Sequence, residues 1–334
     1  MIQISLTEYD RHIYQNEIEP FLPERIFDAH THLLKTEFHP NLQELNSLTH
    51  QFGDADLNSL RHWWQQLFPQ AQIHGLMFGF PTFGCDMQQE NEFVAQEVSN
   101  SPNKFSLLVH PDMPQEDLEK EILRLKPAGL KPYLVFAKNN TPAEADITDF
   151  LAESHIALAH KYGLAVTLHV SKQRGMADKD NLRDIKRLVK EYDKCQFILA
   201  HCGRCFITPN MIDTLKYLPV AENLWFDTSA VCDMGVFLYL FDKYDRTKIL
   251  FGSDGISSVA FRGSYTRLGM GWHMCSQEML QEIGQLPRRQ EINTATFAVY
   301  ENLAAMFHAA KFCELSETDI QNIFYNNAVK LFRL

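Results

Sequence analysis

The sequence predicts a (β/α)8 barrel with an extended connection after the first strand and a helical C-terminal segment. Eight short apolar runs, rich in strand-favouring residues and bounded by Gly, Pro, Asn or Asp, recur between about residues 26 and 254. Segments of helical period lie between them. The runs start about 32 residues apart on average, close to the ~31 per unit that a barrel of about 250 residues needs. Strands alternating with helices imply a parallel sheet, for which an open, doubly wound arrangement is the rival.

Ile26–His32 (IFDAHTH) opens the barrel. The long connection Leu33–Gln72 follows, and its segment LRHWWQQLF carries Trp63 and Trp64. These tryptophans read as a lid over the barrel mouth or as the buried face of a packed helix, and the spacing favours the helix. Ile73–Phe78 is the second run and precedes the helical NEFVAQEVSN. Phe105–Val109, closed by His110, is the third, and Ala128–Tyr133, carrying Lys131, is the fourth. The helical segment ITDFLAESHIALAHKYG stops at Gly163, a residue suited to a left-handed helix end, and leads into Leu164–His169. NLRDIKRLVKEYDK leads into Gln196–His201, and Asn223–Asp227 and Lys248–Asp254 complete the set. Beyond them SVAFRGSYTRLGMGWH borders the barrel mouth, and the chain ends in the helical IQNIFYNNAVKLF. Residues 1–334 read as a single domain.

The charge balance of 31 Lys+Arg against 42 Asp+Glu gives −11, which argues against a nucleic-acid partner, because phosphate neutralisation needs clustered cations. No run approaches the ~20 apolar residues of a membrane helix, and the N-terminus lacks the basic start and apolar core of a secretory signal. Seven scattered cysteines suggest free thiols in a reducing compartment. Cys202 and Cys205 form a Cys-x-x-Cys without a second, suitably spaced pair. The expectation is a cytoplasmic protein with a small-molecule partner, and a homo-oligomer is left open.

Residues i and i+2 of a strand face the same way, so His30 and His32 project together and make half of a metal site. His169, His201 and Asp254 each end an otherwise apolar run, where a shared cation would satisfy them together. Lys131 sits at the matching level of the fourth run. Arg174 and Arg204 follow the fifth and sixth, where either could clamp a carboxylate or phosphate. His39, His50, His62, His74 and His110 show no partner pattern.

The set FDAHTH, LHVS, LAHCG and ILFGSD resembles the amidohydrolase superfamily. GLKPY, NLWFDTSAV and IQNIFYNNAVKLF are similar to its amidohydrolase-2 branch, which includes relatives of aminocarboxymuconate-semialdehyde decarboxylase. The resemblance runs from about Ile26 to Leu334. It implies one divalent metal ion held by His30, His32, His169 and Asp254, with His201 facing the substrate. Three His and one Asp suit zinc, while imidazole also suits Mn, Fe and Ni. Binuclear members of the superfamily carry a carbamylated lysine on the fourth strand. The branch's single-metal arrangement instead leaves Lys131 a free ammonium for a substrate carboxylate. The expected activity is hydrolysis of an amide, ester or lactone-type bond in a small anionic molecule. Asp254 would accept the proton of the attacking water, and His201 would stabilise the oxyanion. Non-oxidative decarboxylation of a carboxylic acid is the alternative on the same residues. A sugar-acid isomerase and a non-catalytic binding barrel are further rivals.

Overall fold

A computed structural model describes residues 3–42, 53–139, 141–282 and 295–334. All eight apolar runs form strands: β1 (Arg25–Leu33), β2 (Gln72–Gly79), β3 (Lys104–Val109), β4 (Gly129–Pro132), β5 (Ala165–Leu168), β6 (Gln196–Leu199), β7 (Leu224–Asp227) and β8 (Ile249–Leu250). They pair in parallel in sequence order, from β1 to β8. The segment after β8 runs back alongside β1. Ala29 N donates to Phe251 O at 2.8 Å, Asp254 N donates to His30 O at 2.8 Å, and Thr31 bridges Gly255. These contacts close the barrel and exclude the open-sheet arrangement.

The helices follow local signals. Asp56, Asp86 and Asp178 cap the helices Leu57–Leu67, Met87–Val98 and Lys179–Glu191 with their carboxylates. Gly163 ends the helix Glu153–Tyr162 at φ +64°. The helical segment expected over 147–163 is two pieces, because Leu151 turns extended after Ile147–Phe150. Trp63 and Trp64 are buried in the helix Leu57–Leu67, so they pack rather than cover the mouth. Part of the long connection, residues 43–52 with His50, lies outside the described residues.

One apolar cluster draws Phe27, Leu76, Phe78, Ala165, Ile198, Trp225 and Leu250 from six different strands and therefore fills the barrel interior. Ala328 of the C-terminal helix Asn327–Phe332 joins it. β1 shifts register between Asp28 and Thr31. Ahead of this bulge Phe27 and Ala29 belong to the interior cluster. Beyond it the inward positions pass to His30 and His32, whose rings meet Phe78 at 4.9 and 4.7 Å.

The segment after β8 forms an antiparallel hairpin, β9 (Gly263–Leu268) and β10 (Gly271–Ser276). Its base is pinned by Arg262, which donates to both carboxylate oxygens of the fully buried Asp10 at 3.0 and 2.8 Å. Trp272 Nε1 donates to Gln173 O at 3.1 Å, and Gln173 Nε2 donates to Trp272 O at 3.3 Å, so the hairpin lies against the loop after β5. All seven cysteines are free. No helix among the described residues is long and apolar enough to cross a membrane.

Candidate metal centre

His30 Nε2 and His32 Nε2 each lie 3.6 Å from Asp254 Oδ1. That is long for a hydrogen bond. It is close to the ~3.4 Å edge of a tetrahedron whose centre lies about 2.1 Å from each donor, the zinc bond length to nitrogen or carboxylate oxygen. Both imidazoles are turned to that point from behind. His30 Nδ1 pairs with Asp227 Oδ2 at 2.9 Å. His32 Nδ1 lies 3.1 Å from Gly79 O, and a carbonyl only accepts, so Nδ1 carries the proton and Nε2 keeps its lone pair. The histidines around Asp254 hold its carboxyl well below the usual carboxylate range despite its burial.

His30, His201 and Asp227 also come together. There, however, Asp227 is saturated. Its Oδ1 accepts from His201 N at 2.9 Å, from Ser229 N at 3.1 Å and from the Ser229 hydroxyl, while Oδ2 takes His30. Asp227 is an orienting group rather than a ligand. Asp28 works similarly from β1: its carboxylate accepts from His30 N, Ser253 N and the Ser253 hydroxyl, and burial pushes it up to about 7.

His201 begins an unusual turn. His201, Cys202, Gly203 and Arg204 have φ of +54°, +52°, +69° and +56°. Each non-glycine residue there costs about 1–2 kcal/mol. The Asp227 bond to His201 N helps hold the turn. Gly175 also packs so closely on it that a Cβ would lie 2.4 Å from Gly203 O. The turn sets His201 4.7 Å from the His30 ring and 4.9 Å from the His169 ring. Ser229 Oγ has a single proton, which goes to Asp227, so His201 Nδ1 donates to the Ser229 hydroxyl at 2.9 Å or its carbonyl at 3.2 Å. Burial pushes His201 down to about 4. Its Nε2 is therefore an unprotonated acceptor.

The amidohydrolase family model matches residues 27–334. This chain belongs to the amidohydrolase family. No curated protein matches the sequence. Among solved structures, it is similar to amidohydrolase 2 from Bifidobacterium longum subsp. infantis, at 14% identity and TM-score 0.54, over 93% of this chain and 100% of that one. It is also similar to the 5-carboxyvanillate decarboxylase LigW from Sphingomonas paucimobilis, at 14% identity and TM-score 0.51, over 93% and 100%. A third is the dihydroxybenzoic acid decarboxylase from Polaromonas sp. JS666, with bound manganese and the inhibitor 2-nitroresorcinol, at 13% identity and TM-score 0.52, over 93% and 98%. Both hydrolytic and decarboxylating members thus share this amidohydrolase fold.

Not every expected site residue joins the amidohydrolase centre. His169 stands beside the tight group of His30, His32 and Asp254 rather than in it. Its ring lies 4.5 Å from Tyr133, and its Nδ1 is buried with no hydrogen-bond partner among the described residues. Lys131 is fully buried, 3.3 Å from His30 Nε2 and 4.3 Å from the Phe78 ring centroid, and burial pushes it down to about 7. It lies against the candidate ligands. Arg174 is half-exposed and pairs with Asp213 of the helix Thr208–Tyr217. Arg204 does stay at the mouth. Its Nη1 donates to Val170 O at 3.0 Å, its Nε is buried without a hydrogen-bond partner among the described residues, and its guanidinium lies 5.2 Å from the Trp272 ring. The Tyr133 and Tyr265 phenols bear on it electrostatically, as it does on His169. Phe206 stacks on Tyr265 at 4.6 Å and on His201 at 5.8 Å, so an aromatic wall links hairpin and centre. Asp227, Tyr133, Phe206, Tyr265 and Trp272 were not singled out from the sequence. Asp227 ends its apolar run just as His201 and Asp254 end theirs, and that signal could have found it.

Proposed function

We propose that this amidohydrolase is a metal-dependent hydrolase that cleaves an amide, ester or lactone-type bond in a small anionic molecule. The observation that carries the reading is the convergence of His30 Nε2, His32 Nε2 and Asp254 Oδ1 on one point, with the rear nitrogens of both imidazoles already engaged. The orphaned Nδ1 of His169 supports a fourth donor nearby. Three His and one Asp fit a divalent cation, with zinc the first expectation. Such an ion polarises a substrate oxygen and acidifies a water. The chain's own groups do the rest. Asp254 Oδ2 takes the proton of the attacking water and returns it to the leaving group. His201 Nε2 accepts the water's second hydrogen bond and aligns its lone pair. Arg204 holds the substrate anion, since its buried guanidinium has no carboxylate partner among the described residues.

A second reading, decarboxylation, is favoured by one observation. Arg204 sits among Trp272, Tyr133 and Tyr265, a setting that suits a planar aromatic carboxylate. There a carbon–carbon bond breaks, carbon dioxide leaves and the carbon takes a proton. Screening the zinc- and manganese-loaded protein against lactones, amides and aromatic acids separates the two. Acid or amine release supports hydrolysis. Carbon dioxide release with no hydrolytic product replaces it with the second reading.

A further inference from the structure

We propose that Glu90 is a positioning residue of the metal centre, acting on His32 through the Gly79–Phe80 peptide. The inference rests on the reading of His32 as a metal ligand. His32 Nδ1–H donates to the Gly79 carbonyl at 3.1 Å. The N–H of that same peptide unit, on Phe80, donates to Glu90 Oε1 at 3.2 Å. A continuous line therefore runs from the Glu90 carboxylate through one amide to the imidazole and on to Nε2.

His30 meets its carboxylate directly, at Asp227. His32 Nδ1 meets a backbone carbonyl instead, and the Glu90 carboxylate stands on the far side of that peptide. A carboxylate on the N–H of an amide polarises its carbonyl, and chained hydrogen bonds strengthen one another by about 10–30%. The Gly79 oxygen then binds the His32 proton more firmly, which fixes the ring and enriches Nε2, the effect that direct carboxylate–histidine pairs have on metal ligands.

The packing is built for this approach. Glu90 is fully buried in the first turn of the helix Met87–Val98. A Cβ on Gly79 would lie 2.4 Å from Glu90 Cγ, so glycine is what admits the acid beneath the peptide. Glu90 Oε2 has no hydrogen-bond partner among the described residues, and His39 Nε2 lies 3.3 Å from Oε1 while His39 Nδ1 meets Thr82 Oγ1 at 2.8 Å. An acid satisfied so sparsely is a costly way to fill space, and an apolar side chain would do that at lower cost. The arrangement makes sense if the charge is used on the peptide above it.

Glu90→Gln tests the inference, because the amide oxygen of Gln can still accept from Phe80 N while the charge is gone. Zinc affinity, measured by competition with a chromophoric chelator, is expected to fall about 10–100-fold, the range for lost outer-shell partners. The thermal midpoint of the metal-free protein should not drop. Unchanged affinity overturns the inference, and so does a loss of affinity that only accompanies a destabilised metal-free protein. Should the variant fail to fold, the wild type decides: the Phe80 amide proton should move downfield when Zn2+ is added, and an unmoved resonance overturns the inference. Wild type that takes up no zinc would instead defeat the metal-centre reading itself. Wild type that binds zinc beside an equally competent Glu90→Gln removes only the role of Glu90.

Discussion

Asp227 joins the metal centre to the strained turn, and two substitutions should separate these tasks. Asp227→Asn keeps one oxygen for His201 N, Ser229 N and the Ser229 hydroxyl but turns an N–H toward His30 Nδ1. Donor then faces donor. His30 escapes by moving its proton to Nε2, which removes the lone pair aimed at the ion. Zinc affinity should fall about 10–100-fold, while stability falls by only about 1–3 kcal/mol for one buried hydrogen bond to a charged group. Asp227→Ala also strips two buried backbone N–H groups of their acceptor, at about 1–3 kcal/mol each. The three non-glycine residues of the left-handed turn already store about 3–6 kcal/mol, so without its anchor the turn relaxes and carries His201 and Arg204 away. Urea unfolding of the metal-free proteins and chelator competition measure both effects. Asp227→Asn with wild-type zinc affinity would refute the tautomer argument. Equal stability of Asp227→Asn and Asp227→Ala would refute the anchoring argument.

Arg204→Leu should raise KM for an anionic substrate by about 10–100-fold, the equivalent of one or two charged hydrogen bonds, and leave a neutral analogue unaffected; equal effects on both would remove Arg204 from substrate binding. Trp272→Ala breaks the reciprocal bonds to Gln173 and the contact with Arg204. Amide exchange across Gly263–Ser276 should then accelerate, and unchanged protection would show that the hairpin is held elsewhere. Glu301 is pushed up to about 7, first by burial and then by Glu17, from its ordinary 4.5. The folded state keeps a proton the unfolded chain has lost, so stability is full below about pH 4.5 and falls as the pH rises through 7. After allowance for its partial exposure, Glu301→Gln should stabilise the protein by about 2 kcal/mol at pH 8 and by nothing near pH 4.5. A pH-independent difference would contradict this assignment.

The barrel was legible because its strands are short apolar runs at a regular spacing, several of them followed by a polar residue, and burial in a closed parallel sheet imposes that pattern. Seven such runs gave the strand positions closely. In the eighth only Ile249–Leu250 is regular, since the backbone beyond turns to follow β1 and places Asp254 at φ +58°. The convergence of His30, His32 and Asp254 could be read from their places at the ends of their runs. Residues that act through tertiary contacts could not. Trp272 and Tyr265 reach the mouth because an antiparallel hairpin folds over it, and nothing in GSYTRLGMGWH announces which ring will face Phe206. The pairing of Arg174 with Asp213, distant in sequence, could not be read from spacing. His39 gave no signal, since its neighbours Thr82 and Glu90 come from another connection and another helix.

Metal content tests the central claim most directly. Protein purified without chelator and reconstituted with Zn, Mn, Fe or Ni is predicted by elemental analysis to hold about one ion per chain, as expected of a single three-His, one-Asp site. The His30→Ala/His32→Ala double variant should keep its fold and hold none. Substoichiometric metal that does not rise on reconstitution would contradict the centre itself. A plateau near two ions per chain, lost in Lys131→Ala, would contradict its mononuclear form.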